Sequence, residues 1–166
     1  PESEETPEEK PKEKKELITT SIAVPQEGAL ADAVLGTDVF VGVSKAGALS
    51  EEMARTMNKD AIVFALANPI PEIMPDEAQA AGAYIVGTGR SDFPNQINNV
   101  LVFPGVFKGL LATRTKKVDD RIKLAAAKAI ASCVSDTELN PDFIIPSVLD
   151  TRIATTVAQA IKDNIS

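Results

Sequence analysis

The run AIVFALANP (61–69) decides the fold. Seven apolar residues follow one another, two of them β-branched, and the run stops at Asn68-Pro69. A strand with one wet face alternates apolar and polar side chains. An unbroken run of this length therefore predicts a strand covered on both faces, as in a parallel sheet. Two further runs share the pattern: DVFVGVS (38–44) upstream, and AYIVGTG (83–89) downstream, closed by glycines.

Between these runs lie helix signals. SEEMARTM (50–57) opens with Ser50 as an N-cap, and Glu51 and Glu52 in its first turn complement the helix dipole. PDEAQAAG (75–82) has Pro75 near its start and Gly82 at its end. Upstream, ALADAVLG (29–36) places Leu30, Ala33 and Val34 on one face and stops at Gly36. Strand, helix, strand, helix, strand with short connections describes successive crossover units and a parallel sheet.

The remainder reads as helical. A segment over 95–114 is expected to kink at Pro104, which lacks an N–H. VDDRIKLAAAKAIASCVS (118–135) is amphipathic, with Ile122, Ala126, Ala129 and Cys133 near one face, and a last helix covers 150–165. At the other end, PESEETPEEKPKEKKE (1–16) carries no large apolar residue and reads as a charged, disordered tail or linker. LITTSIAV (17–24) reads as a strand, or as following the end of a helix in KEKKE. The expected organisation is a tail over 1–16 and one α/β domain over 17–166.

Composition narrows the function. At 166 residues, 44% hydrophobic and 25% charged, the chain is one soluble domain or a large part of one. A net charge of −7 and the lack of a basic stripe argue against nucleic acid. The longest apolar run, 100–107, is too short to cross a bilayer. No signal peptide opens the chain, and the single Cys133 cannot form an internal disulfide; both fit a reducing, cytoplasmic setting. There is no histidine, which excludes Ser-His-Asp and Cys-His catalysis within this chain, imidazole bases and His-ligated zinc. The first residue, Pro1, is expected of a processed or excised piece.

In an open parallel sheet, ligands bind beyond the carboxyl ends of the strands. That rule selects GVSKAG (42–47), LANPIPE (66–72) and GTGRSDFPNQINN (87–99). Pro69 biases Asn68 toward extended backbone, from which its amide can reach a ligand as donor and acceptor; the alternative is an ordinary Asn-Pro turn. Asn98 and Asn99 either cap a helix start or meet an anionic carboxylate there. Arg90 and Asp92 flank Ser91 and read as a structural pair. Tyr84, the only tyrosine, reads as core. G-x-G-x-x-G is absent, and no acidic cluster has metal-ligand spacing.

GALADAVLGTDVFVGVSKAGALSEEM, AIVFALANPIPEIMPDEA, GTGRSDFPNQINNVLVFPGVFKG, KLAAAKAIAS and IIPSVLDTRIATTVAQAI together resemble the malic enzyme family, particularly its bacterial and archaeal form. The resemblance runs from about Gly28 to the end. It implies the second half of a Rossmann-like, doubly wound parallel sheet of about three strands, followed by carboxyl-terminal helices. It implies oxidative decarboxylation of malate to pyruvate and CO₂, with NAD or NADP and with Mg²⁺ or Mn²⁺. In that reading Asn68 touches both substrate and nicotinamide, Asn99 contributes to the substrate site, and Asn98 to the cofactor site. Gly42, Val43, Ser44 and Ala46 lie along the cofactor.

The resemblance also marks what lies elsewhere. The family's catalytic tyrosine and lysine, its Gly-rich dinucleotide turn and its metal ligands all precede the matching region. No catalytic residue and no metal ligand is therefore expected in this chain, and Tyr84 and Lys45 are not substitutes. The expected partners are malate or pyruvate, the missing amino-terminal half, and further copies in a complete homo-oligomer, without nucleic acid or membrane. Alone, the chain is expected to be inactive. The alternative is a non-catalytic module for oligomerisation or complementation.

Overall fold

Each of the three apolar runs forms a short strand: β1 (Val39–Gly42), β2 (Ile62–Ala65) and β3 (Ile85–Thr88). They make one parallel sheet in the order β1-β2-β3. The computed structural model describes residues 28–165; the tail at 1–16 and the segment at 17–24 lie outside the described residues. Register aligns Phe40, Val63 and Val86 in one row, and Val39, Ile62 and Ile85 in the neighbouring row on the opposite face.

Three short helices alternate with the strands: α1 (Leu30–Val34), α2 (Glu51–Arg55) and α3 (Pro75–Ala80). Ser50 caps α2 as its sequence predicts, accepting from the Met53 N–H at 3.2 Å. Val34, Ala54 and Ala78 from these helices join Leu49, Met57, Ile73, Val63 and Val86 in a first core. The other face of the sheet departs from expectation. Val39 and Val41 of β1 are 49% and 58% exposed. Both faces are apolar, but the three helices supply side chains to one core, so the second face of β1 is open among the described residues.

Tyr84 is a second departure. It precedes β3, its N–H bonds the Ala61 carbonyl, and its side chain is exposed, not core. It stands at the amino edge of the sheet, where the helices do not reach over it.

The second layer is helical: a 3₁₀ turn (Asn99–Leu101), α4 (Phe103–Thr113), α5 (Asp120–Ala131) and α6 (Arg152–Asp163). The expected face of α5 is buried: Ile122, Ala126, Ala129 and Cys133 meet Leu101, Ile153, Val157 and Ile161 in a second core. The kinked helix is not found. Helix α4 begins at Phe103, with Pro104 in its first turn, where the missing N–H would have no intrahelical partner.

Close packing of α4 on α6 rests on two glycines four residues apart. A Cβ on Gly105 would sit 2.5 Å from Val157 Cβ, and one on Gly109 would sit 2.9 Å from Ile161 Cβ. Among the described residues no helix is long and apolar enough to cross a membrane.

Candidate functional site

Register brings the strand ends level, with Gly42 beside Ala65 and Ala65 beside Thr88. The three loops selected from sequence therefore leave the same edge of the sheet, side by side.

The first two loops are joined by a residue that the sequence reading passed over. Glu72 is fully buried. Its Oε1 accepts from the Ser44 N–H at 2.6 Å and the Ser44 hydroxyl at 3.0 Å, and its Oε2 accepts from the Ala67 N–H at 3.0 Å. Burial pushes this carboxyl up, but hydrogen bonds from Ser44, Ala67 and its own backbone outweigh that, so its pKa lies below the ordinary glutamate value. Further out, the Gly47 N–H bonds the Pro71 carbonyl at 3.2 Å, and the Leu49 N–H bonds the Glu72 carbonyl at 3.1 Å. Gly42 makes this possible: a Cβ there would lie 2.6 Å from Glu72 Cδ. A lone acid within the otherwise apolar IPEIM (70–74) was the available signal, though not for the partners it finds.

The third loop folds back on β3, with the Ile97 N–H on the Thr88 carbonyl at 2.7 Å. Asn95 holds it. Buried, with φ of 52°, its Nδ2 donates to the Val86 and Pro141 carbonyls at 2.9 and 2.7 Å. Its Oδ1 accepts from the Ile144 N–H at 2.9 Å. One asparagine thus ties the sheet to the segment leading into α6. The expected Arg90–Asp92 pair forms, through bonds of 2.9 and 2.6 Å. Hydrogen bonding to Arg90 lowers the Asp92 carboxyl, and the same bonds raise the Arg90 guanidinium, which also lies 5.5 Å from the Phe93 ring centroid.

Between the second and third loops lies a polar cleft of about 270 Å³, lined among others by Asn68, Pro69, Gly89, Arg90, Gln96 and Asn98. Asn68 and Asn98, thirty positions apart, are thereby brought together. The peptide bond from Asn68 to Pro69 is cis. The Asn68 side chain is exposed and bonds no described residue.

The Asn-Asn pair divides its work. Asn98 is the cap: its Oδ1 accepts from the Val100 N–H at 3.0 Å, and its Nδ2 reaches the Gly89 carbonyl at 3.5 Å. Asn99 is exposed, bonds no described residue through its side chain, and does not line the cleft. The stretch Val43–Ala46 is exposed beside the cleft loops but outside the cleft lining, while Gly42 is buried against Glu72.

Two larger hollows lie away from the strand ends: a groove of about 750 Å³ between α5 and α6, and an apolar one of about 430 Å³ between α4 and α5. The first is lined by mixed polar and charged side chains, the Gln159 and Asn164 amides among them, and the second is almost wholly apolar; neither lies at the carboxyl ends of the strands, where ligands of an open parallel sheet bind. At the strand ends, residues 43–46 are exposed and the Asn68 amide bonds no described residue, which leaves a donor and an acceptor of the kind a nicotinamide carboxamide needs. A metal ion does not fit. Among the described residues no three His, Cys, Asp or Glu side chains come together to hold one.

Residues 11–165 match the family model described as malic enzyme, NAD binding domain. The chain belongs to this family. It is 55% identical over 136 residues to the bifunctional malic/malolactic enzyme of Bacillus subtilis, covering 82% of this chain and 33% of that one. It is 52% identical over 135 residues to the NAD-dependent malic enzyme of Geobacillus stearothermophilus, covering 81% of this chain and 28% of that one. The crystal structure of malic enzyme from Pyrococcus horikoshii superposes with a TM-score of 0.76 at 47% identity, covering 80% of this chain and 31% of that one. This malic enzyme domain thus spans about a third of the length of the curated relatives it matches. Its parallel sheet with flanking helices is the Rossmann-like arrangement expected from the sequence.

Proposed function

We propose that this chain supplies part of the nicotinamide and malate site of an enzyme that oxidatively decarboxylates malate to pyruvate and CO₂. The observation that carries the reading is the meeting of Asn68 and Asn98 in one polar cleft at the carboxyl edge of a parallel sheet. Family membership supports the reaction class.

Bound NAD or NADP supplies the acceptor for hydride leaving the hydroxyl-bearing carbon of malate. The chain's own residues bind and orient. The Asn68 amide, which bonds no described residue, offers a donor to a substrate oxygen and an acceptor to the nicotinamide carboxamide. Asn98 holds the wall of the cleft while capping the turn. Asn99 presents its amide to a substrate carboxylate. Backbone at Val43, Ser44 and Ala46 runs along the cofactor, with Gly42 anchoring that loop at the sheet.

Acid, base and metal ligands come from outside this chain, which is inactive alone. Without them, transition-state stabilisation worth several orders of magnitude in rate is missing. A role as a complementation module for the other half of the enzyme is the second reading, favoured by the exposed face of β1.

The test is malate-dependent reduction of NAD⁺ and NADP⁺ with Mn²⁺. The expected result is no turnover by the chain alone, and turnover when residues 28–166 replace the matching part of the B. subtilis relative. Turnover by the isolated chain overturns the claim of inactivity. A folded chimera that binds cofactor without turnover overturns both the catalytic and the complementation readings and leaves only a non-catalytic, oligomerising role.

A further inference from the structure

We propose that Glu72 is a positioning residue that holds the Ser44 loop and the Asn68 loop at one fixed spacing, so that cofactor-facing and substrate-facing groups are presented together. This rests on the reading of those loops as parts of one nicotinamide and malate site.

Four observations carry it. First, the carboxylate is fully buried yet every bond it makes goes to a loop, none to the helices or to a cation. A buried carboxylate is costly unless hydrogen-bonded, and an apolar side chain of like volume would serve a core at least as well. Second, its two oxygens are divided between the loops. Oε1 takes both Ser44 donors, and Oε2 takes the N–H of Ala67, the neighbour of Asn68. Third, Gly42 leaves the space through which the carboxylate reaches Ser44. Fourth, the outer part of the first loop has anchors of its own, Gly47 on Pro71 and Leu49 on the Glu72 carbonyl. Losing the carboxylate therefore releases the ends that face the site while the rest of the loop stays in place.

A glutamine tests this because it is nearly the same shape but has one accepting oxygen. It can satisfy Ser44 or Ala67, and it turns an NH₂ toward the other N–H. The experiment is ¹⁵N NMR of the whole chain, unmodified and as Glu72→Gln, with amide exchange, a pH titration and a titration with NADH. In the unmodified chain the Ser44 and Ala67 amides titrate together, with one midpoint below the usual glutamate range. In Glu72→Gln one of the two exchanges roughly tenfold faster, as expected for one lost hydrogen bond to a charged group. The core amides of Val63 and Val157 keep their rates, and the NADH-induced shift at Asn68 falls several-fold.

Unchanged exchange at both amides in Glu72→Gln, or an undiminished NADH response at Asn68, overturns the proposal. Should Glu72→Gln not fold, the unmodified chain decides: separate midpoints for Ser44 and Ala67, or no titration, overturn it, and a common midpoint supports it. If NADH moves neither loop in the unmodified chain nor in its chimera with the B. subtilis relative, the proposed function fails, and the exchange and pH data still judge the clamp on their own.

Discussion

The two cores of this molecule are joined up by opposite means. In the helical layer, α4 meets α6 by shape: Gly105 and Gly109 have no side chains, and Val157 and Ile161 fill the space. At the loop edge of the sheet, elements distant in sequence are held by buried polar side chains, Glu72 between the first two loops and Asn95 between β3 and the approach to α6. Apolar contact is tolerant of small shifts, whereas hydrogen bonds fix direction and distance. The polar ties lie where the proposed site is and the shape-based contact lies away from it, which is the distribution expected if placement matters most at the strand ends.

The largest effect should come from removing the tie between the cores. Asn95→Leu deletes three bonds and leaves the Ile144 N–H and two carbonyls without that partner. Urea unfolding should show a loss of about 3 kcal/mol, or two separate transitions as the cores uncouple. A loss below about 0.5 kcal/mol would mean that the cores are joined by other contacts. Next is Gly105→Ala, where the new methyl must push Val157 and the Ala154 carbonyl aside. The expected cost is about 2 kcal/mol, with an unchanged environment around the Glu72 carboxylate.

A smaller effect follows from pH. The Glu72 carboxyl is lowered in the folded chain, so the folded state holds fewer protons than the unfolded state between the two pKa values. Its stabilisation is present above the unfolded glutamate pKa and is lost as pH falls through the folded value. The melting temperature of the unmodified chain should therefore fall faster on acidification than that of Glu72→Gln; parallel curves would contradict the assignment. The smallest effect on stability is expected for Asn99→Ala. An exposed side chain that bonds no described residue should change unfolding by less than about 0.5 kcal/mol, while weakening any response to malate. Its partner Asn98→Ala removes a cap and should cost about 1 kcal/mol.

These contrasts also separate what sequence could disclose from what it could not. The strands were legible because three unbroken apolar runs lie between helix signals such as Ser50 with Glu51 and Glu52, and the buried face of α5 followed from its period. The three loops were legible from the rule that strand ends carry ligands. Glu72 was not, since its role depends on Ser44, twenty-eight positions earlier, arriving beside Ala67. Gly105 and Gly109 resemble ordinary weak helix residues until α6 is laid against them. The Asn-Asn pair left capping and ligand contact open; the structure gives capping to Asn98 and leaves Asn99 exposed. Pro104 misled because a proline that ends one segment and a proline in the first turn of the next look alike in a string. Cover on the second sheet face is a property of neighbours, and the apolar pattern of Val39 and Val41 alone cannot supply them.

The central claim is that the strand-end loops, and not the larger helical groove, meet the nicotinamide. The most direct measurement is the set of intermolecular NOEs from the nicotinamide ring protons of NADH to this chain. Contacts to the side-chain amides of Asn68 and Asn98 and to the amides of Val43–Ala46 are predicted. Contacts to Lys128, Thr156 or Gln159 in the groove between α5 and α6, with none at Asn68, would contradict it.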